Sequence, residues 1–262
     1  MITRSLTLAA SVLAIFALSS CANDKAAPKP LTLLPPAAYT PYLADAGRPA
    51  DDRKDDEARK PAEVLAFSAI RPGETVLELE AGRGWYSDLI SQAIGPKGRL
   101  IIQFPPEFAY GDKAFKDRMD AGRLKNAIIT KSHFDTLDVA SGSVDTVLWI
   151  LGPHEIYYKP KDSNGLGEEL KTYTEIVRVL KPGGTFIAMD HAANAGAPTS
   201  TGGTIHRIDP AIVMSLSQSV GLKFEDKSTV LANPQDDRSK LVFDSTIRRH
   251  TDQFLFRFVK AK

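Results

Sequence analysis

The sequence predicts an α/β protein: a seven-stranded, mostly parallel sheet with an antiparallel last strand and helices on both faces. Three observations carry this prediction. Residues 76–80 form an apolar run closed by an acid, and glycines 82 and 84 then lead into a stripe of Tyr86, Leu89, Ile90, Ala93 and Ile94. That is a buried strand, a sharp exit free of side chains, and a helix with one apolar face. Strand-like runs then alternate with helical stripes down the chain, which implies parallel strands with crossover helices and a ligand at the strands' carboxyl ends. The 262 residues, 43% hydrophobic and 25% charged, are enough for one such domain with a large core.

Residues 1–20 stand apart from that domain. Arg4 supplies a positive start, and the apolar stretch 6–18 is shorter than the ~20 residues a membrane span needs. Leu18-Ser19-Ser20-Cys21 resembles a bacterial lipobox, which implies cleavage before Cys21 and a lipid on that residue. An ordinary secretory signal is the alternative. Either implies export, and Ala22 after the cysteine resembles the sorting signal for an outer-membrane anchor facing the periplasm. Cys21 is the only cysteine, so a lipidated chain has no thiol for a disulfide, a thiolate zinc site or a nucleophile.

Residues 21–50, with Pro28, Pro30, Pro35, Pro36, Pro41 and Pro49, read as an extended tether ahead of a domain at 51–262. A charged helical segment at 51–60 precedes a second helix that Pro61 opens and that runs to residue 70. Its first half, 51–55, reads as a solvated charge run. Gly95-Pro96-Lys97-Gly98 turns into a second strand at 99–103; the third is expected at 127–131 and the fourth at 144–151. The stripe Leu170, Tyr173, Ile176, Val177 and Leu180 is a helix that Pro182-Gly183-Gly184 stops before a fifth strand at 185–189. Residues 192–204 are almost all small and read as a long loop, either a lid or a segment without order of its own. Asp209 caps a helix from Pro210 to Gly221, and strands at 222–230 and 253–259 finish the sheet as an antiparallel pair.

The net charge of +1, with no Lys/Arg cluster interleaved with aromatics, argues against nucleic acid and for a small-molecule substrate. The membrane enters only through the lipid anchor. At the glycine turn, a dinucleotide site wants a third glycine where this chain has Ser87. Glu78 suits a cofactor bearing positive charge instead. Together with residues 180–187 and 143–149, the turn resembles that of the class I S-adenosylmethionine-dependent methyltransferases. Asp56 to Pro61, Gln103 with Pro105-Pro106, Asp190-His191-Ala192, His206-Arg207-Ile208-Asp209 and Asn233-Pro234 extend the resemblance to an uncharacterised bacterial family of predicted methyltransferases.

The resemblance implies a Rossmann-like fold, S-adenosylmethionine as cofactor and methyl transfer to an acceptor it does not identify. It implies that Glu78 orients the methionyl ammonium, that Glu80, Ala81, Gly82 and Gly84 line the cofactor, and that Arg59 stands beside the turn. Asp135, or else Asp138 or His133, would accept from the adenine amine. Two positions depart from the pattern. Glu80 replaces the first glycine, and Gln103 and Phe104 stand where an acid usually grips the ribose, so weaker cofactor binding is expected. Methyl transfer is an in-line displacement that needs alignment and exclusion of water. His154 with Glu155, and His191, follow the fourth and fifth strands, where a base would meet the acceptor. His206 and Arg207 read as structural and His250 as a surface residue. No metal is expected, because the spacing of His154, Asp190 and His191 gives no support for one. The competing reading is an exported, non-catalytic binding module that keeps the fold.

Overall fold

Seven strands form one sheet in the order β3-β2-β1-β4-β5-β7-β6. They are β1 (Thr75–Leu79), β2 (Arg99–Phe104), β3 (Ala127–Lys131), β4 (Val144–Ile150), β5 (Leu180–His191), β6 (Leu222–Ser228) and β7 (Gln253–Lys260). The first five run parallel and β7 is antiparallel to both neighbours, as expected. The computed structural model describes residues 33–262, so the lipobox-like segment, Cys21 and the first part of the expected tether lie outside the described residues. β1 is central, paired with β2 and β4, and its apolar run is buried on both faces. β3 is an edge strand and leaves Ile128 and Ile129 exposed.

The helices are α1 (Thr40–Leu43), α2 (Ala50–Arg53), α3 (Asp56–Arg59), α4 (Pro61–Phe67), α5 (Trp85–Ile94), α6 (Asp112–Asp120), α7 (Glu169–Val179), α8 (Ser200–Ile205) and α9 (Pro210–Ser219). α1, α4 and α5 pack together, and α7 packs with α9. Strand order reverses direction between β1 and β4, so right-handed crossovers put α5 and α7 on opposite faces.

Four expectations are corrected. The tether does not extend to residue 50. Tyr39 is buried and donates its hydroxyl to the Ile70 carbonyl at 2.6 Å, and buried Arg48 pairs with both Asp56 oxygens at 2.8 and 2.9 Å. Proline content hid these two anchors. The charge run at 51–55 is not wholly solvated either: Asp52 is buried against Arg118, and Arg118 and Arg123 also converge on fully buried Asp88. Pro182-Gly183-Gly184 is not a stop before β5 but a bulge within it, where a side chain at 184 would crowd the Asp145 carbonyl at 3.0 Å. The small-residue loop ends in α8, because Gly202 and Gly203 let that helix lie directly on the backbone of residues 154–157.

Candidate active site

At the end of β1 the chain turns through three left-handed residues, Glu80 (φ 46°), Gly82 (φ 59°) and Gly84 (φ 78°), before α5 begins. The two glycines do different work. A side chain on Gly82 would meet nothing within 4 Å, so a ligand can lie against bare peptide there. On Gly84 it would meet Phe115 at 2.8 Å and Arg118 at 3.0 Å, so that glycine serves packing. Gly111, ending the 3-10 turn Ala109–Gly111, sits on the Gly82 carbonyl and brings Tyr110 over the turn.

The residues expected around a cofactor are distributed unevenly. Ala81 is buried within the turn. Glu78 lies beneath it, where Ser87 Oγ donates to its carboxylate, and burial pushes its pKa up to about 8. The Gln103 side chain is fully buried, accepting from the Glu80 N–H at 3.3 Å and donating to the Ser132 carbonyl at 2.6 Å. Phe104 leaves the crevice for the core, 5.2 Å from Phe115. Asp135 accepts from the Glu168 N–H ahead of α7 at 3.1 Å, while His133 meets Glu107 at 2.9 Å and Asp138 is exposed. Arg59 lies over the Trp85 ring at 4.8 Å, and its carbonyl accepts from the Tyr86 hydroxyl.

A polar centre forms where β1, β4 and β5 end. Fully buried Asp190 accepts the His154 backbone N–H at 2.7 Å and faces His154 Nδ1 with both oxygens at 2.9 and 3.0 Å. The same carboxylate accepts the His191 N–H at 2.7 Å. The other ring nitrogen of His154, Nε2, lies 3.0 Å from His206 Nδ1 and 3.3 Å from Glu155 Oε1. Burial opposes charge on His154, but Asp190 and Glu155 outweigh it and hold its proton up to about 10. Burial likewise opposes charge on Glu155, and hydrogen bonds from His154 and His206 bring its pKa down to about 2. The two form a buried imidazolium–carboxylate pair. Glu80 is the contrasting acid: burial and then the charge of Glu155 raise it to about 8, although Tyr110 donates to it at 2.6 Å.

His191 joins neither group. Its Nδ1 lies 2.6 Å from Thr251 Oγ1, and burial followed by the nearby His154 charge lowers its pKa well below the usual imidazole value. It is therefore a neutral imidazole, on a cavity of about 140 Å³ shared with Arg59, Leu151, Met189, Phe243 and Gln253. Ala58, Arg249 and Gln253 also line a larger groove of about 750 Å³ beside it.

Three contributors were missed. His206 was read as structural, yet its left-handed backbone (φ 55°) at the end of α8 delivers its ring to His154. The adjacent glycines at 202 and 203 were the available signal, since they mark a close backbone approach. Asp190 was weighed only as a metal ligand, and Tyr110 carries no sequence signal at all. The metal set considered, His154 with Asp190 and His191, is not the one that converges; among the described residues His154, Glu155 and His206 do, with ligand atoms all within 4.8 Å.

The fold is that of the class I methyltransferases. An S-adenosylmethionine-dependent methyltransferase from Aquifex aeolicus superposes with a TM-score of 0.56 over 86% of this chain and 97% of its own, at 20% identity. In sequence, the arsenite methyltransferase of Halobacterium salinarum is 30% identical over 134 residues, 51% of this chain and 31% of that protein. The ubiquinone/menaquinone biosynthesis C-methyltransferase of Hydrogenovibrio crunogenus is 27% identical over 128 residues, 48% of this chain and 46% of that protein. The matches thus span less than half the length of either relative. No protein-family model matches the chain.

Proposed function

We propose that this protein transfers the methyl group of S-adenosylmethionine to a nucleophilic atom of a small molecule. One observation carries the proposal beyond fold likeness: Gly82, the one open position of the turn, adjoins a centre where Glu80, His154, Glu155 and Asp190 from three neighbouring strand ends interact. The residues present fit the cofactor at that turn. Bare peptide at Gly82 would face its body, and Glu80 would take its ammonium in exchange for the Tyr110 hydroxyl. The cofactor supplies an electrophilic methyl carbon; the chain must align the acceptor and take up its proton. For the proton we propose His191, whose neutral ring lies on the cavity; its lowered pKa makes it a weak base, matched to an acceptor that becomes acidic as its bond to the methyl carbon forms. The His154–Glu155 pair, fixed by Asp190, positions the acceptor and orders charge around it.

Calorimetric titration of the full chain with S-adenosylmethionine and its demethylated product is the direct test. Saturable heat in the micromolar to millimolar range supports the proposal, and no heat at millimolar ligand overturns it.

A second reading, a non-catalytic binding module, is favoured by the engagement of Gln103 and Glu80 inside the protein. It requires that the cofactor not bind while another ligand does, so the same titration separates the two. We further propose that Cys21 carries a lipid holding the domain at the outer membrane on the periplasmic side. Cys21→Ser should move the protein out of the membrane fraction, and an unchanged distribution would refute the anchor.

A further inference from the structure

We propose that His154 Nε2, His206 Nδ1 and Glu155 Oε1 form a binding site for a divalent transition-metal ion of the zinc class. The three atoms are 3.0, 3.3 and 3.8 Å apart. A tetrahedral ion with bonds of about 2.0–2.1 Å places its ligand atoms about 3.3 Å from one another, so the measured triangle has the right size without rearrangement. Two imidazole nitrogens and one carboxylate oxygen are donors suited to zinc and its neighbours, not to calcium or magnesium, which prefer oxygen throughout.

The surroundings are those of a built site. Asp190 grips His154 Nδ1 with both oxygens, which points Nε2 at His206 and Glu155, where an ion would displace the ring proton; a carboxylate behind a histidine ligand is the usual second layer of such sites. Glu155 Oε2 is buried and has no hydrogen-bond partner, so one oxygen of that carboxylate is left without a partner in the protein. Tyr158 and Phe243 wall the His206 ring, with centroids at 5.8 and 5.0 Å. The His206 side chain keeps 21% exposure, leaving access from solvent. Three protein ligands leave a fourth position open, as in zinc sites that act on a bound molecule. The site uses the His154 and Glu155 side chains assigned above to the acceptor, but its readout, metal binding, does not depend on methyl transfer.

The test uses the full chain without an affinity tag, stripped with a chelator and titrated with Co²⁺, followed by visible absorption and by Zn²⁺ competition. Stoichiometric Co²⁺ binding with intense tetrahedral-type bands, abolished by Zn²⁺, is expected. His206→Asn, which tolerates the left-handed backbone, and Glu155→Gln should each weaken binding by more than about 100-fold, and Asp190→Asn by about 10- to 100-fold. His250→Ala, on the surface, should change nothing. Absence of stoichiometric binding, leaving only a proton-bridged cluster, would overturn the proposal, as would full affinity in both His206→Asn and Glu155→Gln. If one variant fails to fold by circular dichroism, the other decides.

Discussion

Tyr110 donates its hydroxyl proton to Glu80 Oε1 at 2.6 Å, joining the loop after β2 to the end of β1 directly over the glycine turn. If Glu80 is the partner of the cofactor's ammonium, this bond competes with the cofactor. With its pKa raised to about 8, Glu80 is mostly protonated at neutral pH, and a hydrogen bond between uncharged groups contributes about 0.5–1.5 kcal/mol, roughly two- to tenfold in affinity. Tyr110→Phe should therefore bind S-adenosylmethionine about two- to tenfold more tightly than wild type, and Glu80→Gln more weakly. Calorimetric dissociation constants check both; weaker binding in Tyr110→Phe would show that the tyrosine holds the cofactor instead of excluding it.

The two glycines of the turn should separate under mutation. Gly84→Ala meets Phe115 and Arg118 in a left-handed conformation and should lower stability by about 2 kcal/mol or more, whatever the ligand. Gly82→Ala carries the conformational penalty alone, about 1–2 kcal/mol, and should fold yet lose cofactor affinity. Thermal melts paired with titrations check this, and intact affinity in Gly82→Ala would place the ligand elsewhere.

How much of this was legible in the sequence depends on whether a feature is local. The span of α5, the Asp209 cap and the positions of most strands along the chain follow from periodicity, capping chemistry and turn residues that sit next to one another in the chain. His154 and His191 were legible because they follow strand ends. His206 and Tyr110 were not, since their positions depend on how α8 and the 109–111 turn dock. The extent of the tether was misread for a similar reason: Tyr39 and Arg48 are anchored by partners at Ile70 and Asp56, which composition does not reveal. The bulge in β5 was missed because Pro and Gly signal the end of a helix and an irregular strand equally well.

Asp190 should control the protonation of His154. With that carboxylate neutralised in Asp190→Asn, burial is opposed by Glu155 alone and the His154 pKa should fall from about 10. Nuclear magnetic resonance titration of the ring protons checks the direction. A His154 that still titrates near its original pH would mean that Glu155 alone holds the proton.

The buried pair of Asp88 with Arg123 should be a stability determinant without a role in the site. Asp88 is fully buried, and Arg123 also reaches Asp45 at 2.9 Å, which ties the segment ahead of α2 to α5. Arg123→Ala leaves the Asp88 charge undercompensated and should cost about 3–5 kcal/mol. Chemical denaturation measures that loss. Cofactor affinity of the folded fraction should be unchanged, and a large change would connect the pair to the turn.

Glu78 gives a pH prediction with a definite sign. Its folded pKa of about 8 lies above the unfolded value near 4.5, so the folded state holds the proton more tightly. The stability that this tighter hold contributes is fully present below about pH 4.5 and is lost as pH rises through about 8. His154, with its raised pKa, loses stability in the same direction at higher pH, so the wild-type curve alone does not isolate Glu78. The difference between wild type and Glu78→Gln does. The amide cannot ionise and still accepts from Ser87, so Glu78→Gln should melt several degrees above wild type at pH 8.5 and within a degree or two of it at pH 5. Equal melting temperatures at both pH values would show that Glu78 stays charged in its buried position, stabilised by Arg118 and Ser87 more than burial opposes it.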